Sequence, residues 1–220
     1  MNKLRNAWKD QRIPTRQRSI VDKELSRMYR ADVVPIFRVM AEAVCGTGLR
    51  DPEMIEVGCG GGHYYEVLSH FAGHPVHYRG IDYSEAMIRL AKKHYPQVSF
   101  FVGDAKQLPF ADKTCDILIS GTVLLHIPEY KEVIEESSRV ARKWVIFHRT
   151  PVVQGQTIYY SKQAYTVPCV EINFGEEELL GLFRNSSLEL KQTFEISEDI
   201  APLSSMKRWY RSYLCKKTSK

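Results

Sequence analysis

The sequence predicts an α/β fold in which helices cover one open, mostly parallel sheet. From Glu53 onward, short apolar strand signals alternate with helix signals four or five times, which is typical of parallel strands joined by crossover helices. A glycine-rich turn, Gly58–Gly62, follows the first of these strands. The chain has 220 residues, which suits one domain with an extension.

Five strands are predicted before residue 150, and helices fill the gaps between them. Each strand is a short apolar run, and each helix has apolar side chains at helical spacing. Ser84 is a candidate N-cap for a helix that directs Met87 and Ile88 inward. The strands are 53–58, 76–82, 98–103, 115–120 and 144–149, and the helices are 62–72, 84–94 and 130–142.

The last third of the chain begins with a segment that has no clear period. Residues 151–175 contain several aromatic residues and two prolines, and we predict a long connection that covers a binding site. A helix at 176–185 and strands at 187–196 and 207–215 follow. Together, the elements predict a Rossmann-like, doubly wound, seven-stranded sheet with an antiparallel edge strand.

Residues 1–50 predict an N-terminal helical cap ahead of the main domain, which we place at 51–220. Apolar residues recur at helical spacing after Ser19, a candidate N-cap. Pro35 is expected to kink or split this helix, because proline cannot donate a backbone hydrogen bond.

Composition narrows the class of protein. Hydrophobic residues make up 44% of the chain and charged residues 26%, and no apolar run reaches the roughly 18 residues of a membrane span. We therefore expect a cytoplasmic protein. The five cysteines are scattered and predicted to be free, and we predict no metal site, although His70, His74 and His77 lie close together.

The net charge of +5 is concentrated at the two ends of the chain. Residues 1–30 contain nine Lys and Arg against three acids, and residues 207–220 contain six against none. These ends could attract an anionic partner such as nucleic acid, or could be two solvated basic faces, which is the interpretation we favour.

The pattern that carries chemistry starts at Glu56 and runs through the glycine-rich turn. Glycine accepts a positive φ and lets the backbone approach a ligand closely, and the next helix offers free N–H groups. Asp82 ends the second strand, where doubly wound folds place an acid that binds ribose hydroxyls. The alternative role of Asp82 is a helix cap or a turn residue.

A dinucleotide site is disfavoured, because the last position of the G-x-G-x-x-G pattern falls on His63, where close packing needs Gly or Ala. The segment VGDAKQLPFADKTCDILIS, residues 102–120, instead resembles the region after the third strand of class I methyltransferases. Taken with the glycine turn and Asp82, residues 53–150 resemble the UbiE-like family of small-molecule methyltransferases.

The resemblance implies S-adenosyl-L-methionine as the cofactor. It places the glycine turn beside the methionine part, Asp82 at the ribose, Asp104 at the adenine, and Ser120 beside the methionine and ribose. The residues implied to bind the cofactor are Glu56, Gly58, Cys59, Gly60, Asp82, Tyr83, Asp104, Ala105 and Ser120.

Methyl transfer requires that two reactants are held in line and away from water, so a catalytic side chain is optional. His126 and His148 are candidate bases for a hydroxyl acceptor, because both lie at the carboxyl ends of predicted strands. Arg149 is a candidate for binding an acceptor carboxylate or phosphate, and Tyr160 and Tyr165 for lining the acceptor pocket. Packing, or a salt bridge at the rim, is the alternative for these residues.

The sequence thus predicts an enzyme that methylates a small molecule. Two alternatives stay open: a methyltransferase that acts on RNA or protein through the basic ends, and a non-catalytic module that binds the cofactor. The sequence identifies neither the methylated atom nor the oligomeric state.

Overall fold

The structure is a computed structural model that describes residues 7–202 and 205–218. Within these ranges, one nine-stranded sheet carries helices on both faces. The helices are α1 (Ile13–Tyr29), α2 (Pro35–Cys45), α3 (His63–Ala72), α4 (Glu85–His94), α5 (Tyr130–Val140) and α6 (Glu176–Asn185), with short 3-10 helices at Ala7–Lys9 and Leu124–His126. The strands are β1 (Met54–Val57), β2 (Tyr78–Asp82), β3 (Ser99–Val102), β4 (Cys115–Gly121), β5 (Ala141–Val153), β6 (Ile158–Ala164), β7 (Val167–Gly175), β8 (Leu188–Ile200) and β9 (Lys207–Lys217).

Seven of the strands follow the predicted arrangement. Their order is β3-β2-β1-β4-β5-β9-β8; β1 to β5 are parallel to their neighbours, and β9 is antiparallel to both β5 and β8. The doubly wound, mostly parallel α/β fold is therefore confirmed. Because the parallel strands end on one side, their carboxyl ends form a common crevice.

The two faces of the sheet are covered by different helices. On one face, α5 and α6 contribute Val133 and Phe183 to a cluster with Val145 of β5. On the other face, α2 and α3 contribute Phe37 and Val67, which pack with strand residues from β1, β4, β5 and β9. Helix α4 begins at its predicted cap, since the Ser84 side chain accepts a hydrogen bond from Met87 N.

The prediction of a long irregular connection at 151–175 is wrong. Strand β5 continues to Val153, and a hairpin of β6 and β7 follows and pairs in parallel with the end of β5. This hairpin raises the strand number from seven to nine. The period-two signal is missing because residues 171–175 of β7 are buried on both faces.

The N-terminal helices also begin at different points from those predicted. Helix α1 starts at Ile13 with Pro14 in its first turn, so Ser19 lies inside the helix and is not an N-cap. Pro35 splits the helical run, as expected, and is the first residue of α2. Residues 1–6 of the predicted cap lie outside the described residues.

No helix in the described ranges is long and apolar enough to cross a membrane.

Candidate active site

One large cavity lies at the carboxyl ends of β1, β2, β4 and β5, where a doubly wound fold binds its ligands. Its volume is about 840 Å³. The N-terminal segment covers it from above, since Trp8, Gln17 and Glu24 all line it. The hairpin and β9 close the far side with Tyr165 and Tyr210.

The glycine turn between β1 and α3 forms one wall of this cavity. Gly58, Gly60 and Gly62 all have left-handed backbone conformations, with φ of 68°, 51° and 78°. A Cβ atom on Gly58 would lie 2.6 Å from Cγ2 of Val123. The turn therefore needs glycine there both for the backbone angle and for the close approach of the next loop.

Asp82 binds the glycine turn. Its Oδ2 accepts a hydrogen bond from Gly60 N at 2.9 Å, and its Oδ1 accepts one from Ser84 N at 2.8 Å. Burial raises the pKa of the carboxyl, and these two hydrogen bonds oppose that rise. Asp82 thus has the turn-residue role that the sequence left open, and it also lines the cavity.

Glu56 is a buried acid at the end of β1, with 1% of its surface exposed. Burial raises the pKa of its carboxyl to about 8, although the hydrogen bond that Tyr78 Oη donates to Oε2 lowers it. Glu56 also lines the cavity. A cationic ligand group beside this carboxyl would favour its charged form.

The remaining predicted cofactor residues have different positions. Cys59, Tyr83, Asp104 and Ala105 line the cavity. The Tyr83 hydroxyl accepts a hydrogen bond from Trp8 N at 3.1 Å, which ties the N-terminal segment to the end of β2. Ser120 does not line the cavity; its Oγ is buried and has no hydrogen-bond partner among the described residues.

His126 is the predicted base that does reach the cavity. Its Nδ1 lies 2.9 Å from Val170 O, and its ring lies 4.6 Å from that of Trp8. Because a carbonyl can only accept, Nδ1 carries the proton and Nε2 keeps its lone pair. Burial lowers the pKa of His126, so the ring is neutral at pH 7.

His148, the other predicted base, does not line the cavity. Its Nδ1 lies 2.7 Å from Ser212 Oγ, and its ring packs edge-on against Tyr64 at 5.4 Å. Burial lowers the pKa of His148 to about 3. The strand directs this side chain into the sheet packing, so its place in the sequence predicted the wrong environment.

Arg149, the next residue, does line the cavity. The register of β5 against β9 shifts between Phe147 and Thr150, and Arg149 within this bulge has a φ of 53°. Its guanidinium lies over the Tyr210 ring at 5.6 Å. A bulge of this kind re-aims a side chain, and here it separates Arg149 from its buried neighbour His148.

The two predicted tyrosines also differ. Tyr165 lines the cavity, and burial raises its pKa. Tyr160 does not line it: it is 7% exposed, and its hydroxyl donates to the Glu171 carboxylate and accepts from Arg208 Nη1 at 2.8 Å. Tyr160 is therefore part of a buried polar network that joins the hairpin to β9.

Several residues that line the cavity were missed in the sequence. Trp8 and Gln17 belong to the segment above the glycine turn, and Gln17 Oε1 lies 3.1 Å from the position of a Cβ on Gly60. Glu24 and Arg27 follow on α1. An isolated tryptophan ahead of a helix is a signal that could have indicated this segment, because tryptophan has a large apolar ring that packs against other groups.

Comparisons with known proteins agree with this geometry. Residues 55–147 match the model of a methyltransferase domain family. The demethylmenaquinone methyltransferase of Lysinibacillus sphaericus is 32% identical over 91 residues, which cover 40% of this chain and 39% of that protein. The chain thus spans about two fifths of the length of the curated relatives it matches.

Solved structures share the fold over most of the chain. The magnesium protoporphyrin IX methyltransferase of Synechocystis, solved with bound S-adenosylmethionine, has a TM-score of 0.60 at 19% identity and covers 83% of this chain and 78% of its own. The 4+2 cyclase SpnF has a TM-score of 0.65 at 17% identity, with coverage of 84% and 82%. Because the second protein is named as a cyclase, the fold does not by itself define the reaction. Residues 55–147 thus match a methyltransferase domain family, and the chain shares its fold with a solved methyltransferase that binds S-adenosylmethionine.

Proposed function

We propose that the protein transfers the methyl group of S-adenosyl-L-methionine to a small-molecule acceptor. The observation that carries this proposal is one cavity that is lined both by the glycine turn with Glu56 and Asp82 and by His126 and Arg149. We call these the cofactor half and the acceptor half. Transfer needs both reactants in one water-excluding space, and this cavity suits that need.

The residues of the cofactor half fit a nucleoside that carries a positive charge. Gly58 and Gly60 leave room for close approach of a ligand to the backbone, and Glu56 and Asp82 offer carboxylates. Asp104 is exposed beside Ala105, and its Oδ1 accepts a hydrogen bond from Lys106 N at 2.9 Å. A polar base would compete with the Lys106 ammonium, 3.7 Å away, for its Oδ2. This donor and acceptor set supports S-adenosyl-L-methionine as the cofactor.

The bound cofactor would supply an electrophilic methyl group, and the protein would supply position and exclusion of water. Gln17 lies over the glycine turn at Gly60, and Trp8 packs against His126. Tyr165 and Tyr210 close the acceptor half. No proton needs to move for the displacement itself, so preorganisation of this enclosure is the main contribution of the chain.

His126 is the base that we propose for a hydroxyl acceptor. Its Nδ1 proton is held by Val170 O, which leaves Nε2 as the acceptor of a proton. We expect His126→Gln to leave affinity for S-adenosylhomocysteine unchanged and to slow methyl transfer about a hundredfold or more. An unchanged rate would remove His126 from the mechanism. His148, which packs in the sheet, is not part of this proposal.

A polyanionic acceptor such as RNA has less support. The basic ends are partly neutralised by acids of the same chain, as in Arg12 with Asp10 at 2.7 Å and Arg208 with Asp199 at 2.6 Å. Arg16 is engaged by the backbone of the hairpin at Tyr165. The cytoplasmic location and the division into a cap and a main domain stay predictions.

Calorimetric titration with S-adenosylmethionine, S-adenosylhomocysteine and NAD, each against the full chain, tests the proposal first. We expect binding of the first two ligands and none of NAD. Binding of NAD alone, or of none of the three, would overturn the proposed cofactor. Cofactor binding without turnover across a broad acceptor screen would support a non-catalytic module instead.

A further inference from the structure

We propose that the acceptor carries a carboxylate, which Arg149 binds in the acceptor half of the cavity. This inference rests on the proposed function and specifies its substrate class. Two features of the described residues carry it: the backbone at Arg149, and the lack of an ion pair within 4.0 Å of its guanidinium.

The backbone at Arg149 adopts a conformation that arginine rarely takes. Its φ is 53°, and its N–H donates to Ser212 Oγ at 3.3 Å within the bulge between β5 and β9. A left-handed conformation is unfavourable for a non-glycine residue, because its Cβ comes too close to the following carbonyl oxygen. Unfavourable backbone of this kind concentrates at functional sites, where it directs a side chain. Here, it accompanies an arginine that faces the cavity.

The guanidinium of Arg149 has no ion pair within 4.0 Å among the residues that the structure describes. Its close neighbour is the Tyr210 ring, which supports one face of the group and leaves its edge free. Arginine has five N–H donors in a planar fork, and a carboxylate matches two of them at once.

The charged groups near Arg149 include one acid and one further cation. Glu24 and Arg27 line the same cavity, and both Arg149 and Arg27 oppose the rise that burial causes in the pKa of Glu24. Glu24 forms no ion pair with Arg149 within 4.0 Å. His126 adds no charge at pH 7, because burial lowers its pKa.

Two other cations near this half already have partners. Lys162 pairs with Glu171 at 3.1 Å, and Arg208 pairs with Asp199 at 2.6 Å. Arg149, in contrast, has its guanidinium available for an anion. A carboxylate carries one charge and matches the fork of a single guanidinium, whereas a phosphate monoester carries nearly two charges.

The walls of the acceptor half suggest the rest of the acceptor. Rings of Trp8, Tyr165 and Tyr210 line the same cavity as Arg149. Flat aromatic surfaces bind planar, apolar groups well. An aromatic hydroxy acid would place its ring against these walls, its carboxylate at Arg149 and its hydroxyl near His126.

The test uses acid and amide pairs of one shape, titrated by calorimetry into the full chain saturated with S-adenosylhomocysteine. The pairs are 4-hydroxybenzoate with 4-hydroxybenzamide, and indole-3-acetate with indole-3-acetamide. We expect at least one acid to bind about tenfold or more tightly than its amide, because a charge-assisted fork is lost in the amide. No binding of either acid, or equal affinity of acid and amide in both pairs, overturns the proposal.

Two variants of Arg149 and one control locate the effect. Arg149→Asn removes the guanidinium while keeping a side chain that tolerates a positive φ, so the preference for the acid should disappear. Arg149→Lys should keep part of it. Lys162→Gln, whose ammonium is already paired, should keep all of it. A preference that survives in Arg149→Asn contradicts the assignment.

Titration with S-adenosylhomocysteine separates this proposal from the proposed function. If wild-type protein does not bind that ligand, the proposed cofactor fails, and the acid and amide pairs can still be compared on the free protein. If the ligand binds equally to wild type and Arg149→Asn, a missing acid preference counts against the carboxylate alone.

Discussion

The two halves of the cavity are built in different ways. The residues of the cofactor half come from three successive strand ends, between Glu56 and Lys106, and their roles depend on local turns. The residues of the acceptor half come from Trp8, α1, the 3-10 helix with His126, β5, the hairpin and Tyr210, which span almost the whole chain. A local unit specifies the first half, and long-range packing specifies the second.

The halves also differ in charge and in protonation. The cofactor half contains acids, with the pKa of Glu56 raised to about 8 by burial. The acceptor half contains a neutral His126 and the cation Arg149, which has no ion pair within 4.0 Å among the described residues. Different polar groups within one cavity allow two different reactants to bind side by side, which is the arrangement a transfer reaction needs.

Gly58→Ala should have the largest effect, because it adds one methyl group to the closely packed glycine turn of the cofactor half. The new Cβ would lie 2.6 Å from Val123 in a backbone with φ of 68°. Strain and overpacking should together lower the free energy of unfolding by about 2 to 5 kcal/mol, measured by urea denaturation. Affinity for S-adenosylhomocysteine, measured by calorimetry, should fall about a hundredfold or more.

Gly48→Ala is the matched control for this variant. Gly48 has nearly the same φ, 67°, but no atom within 4 Å of its Cβ position. It should therefore show the backbone cost of about 1 kcal/mol and normal ligand affinity. Equal losses of affinity in both variants would mean that the glycine turn does not form the cofactor half.

Asp82→Ala should weaken binding in the cofactor half without adding atoms to the cavity. The variant removes the acceptors for Gly60 N and Ser84 N, together with the proposed ribose contact. Affinity for S-adenosylhomocysteine should fall about tenfold to a hundredfold, as for loss of charge-assisted hydrogen bonds worth 1 to 3 kcal/mol. Glu53→Ala, an exposed acid just before β1, should bind normally. Wild-type affinity in Asp82→Ala would refute the ribose role.

Two buried groups, Glu56 and His148, should make stability depend on pH in opposite directions. The folded state keeps a proton on Glu56 between its ordinary pKa of 4.5 and about 8, so this group makes stability fall as pH rises through that range. The folded state leaves His148 unprotonated from 6.5 down to about 3, so this group makes stability fall as pH decreases through that range. Each contributes up to about 1.4 kcal/mol per pH unit.

Difference curves between variants and wild type measure these contributions. Urea denaturation from pH 5 to 8 should show that Glu56→Gln removes a loss of stability between pH 6.5 and 8, where His148 is neutral in both states. His148→Gln should remove an opposite slope below pH 6.5. Parallel curves for wild type and either variant would contradict the protonation state assigned to that residue.

Arg16→Ala should have the smallest effect, because it removes one exposed contact between the N-terminal segment over the cavity and the hairpin. Arg16 Nη1 donates to Tyr165 O at 2.6 Å and contacts Thr166 Oγ1, which joins α1 to the hairpin turn. This contact is exposed, so affinity for S-adenosylhomocysteine should fall only about twofold to fivefold in calorimetry. Arg12→Ala breaks a pair within the same segment, with Asp10, and should leave affinity unchanged. Equal effects of the two variants would mean that closure does not involve the hairpin.

The sequence predicted correctly those helices and strands that have strong local signals. The strands and helices from Glu53 to Val140 were found within a few residues, because alternation, helical spacing and the Ser84 cap act over short distances. The hairpin at 158–175 was not found, because burial on both faces removes the period-two signal from β7. Ser19 was wrongly taken as a cap, because α1 begins almost two turns earlier, next to Pro14.

The candidate site divides along the same line. The sequence alone determined the glycine turn and its place next to Asp82, because a turn and the end of the adjacent strand are local features. Only the tertiary structure decided that His126 faces the cavity while His148, Tyr160 and Ser120 do not. It also decided that Trp8 covers His126 and that a bulge exposes Arg149. The physical reason is that side-chain direction at a strand end depends on register and on packing partners that lie far away in the sequence.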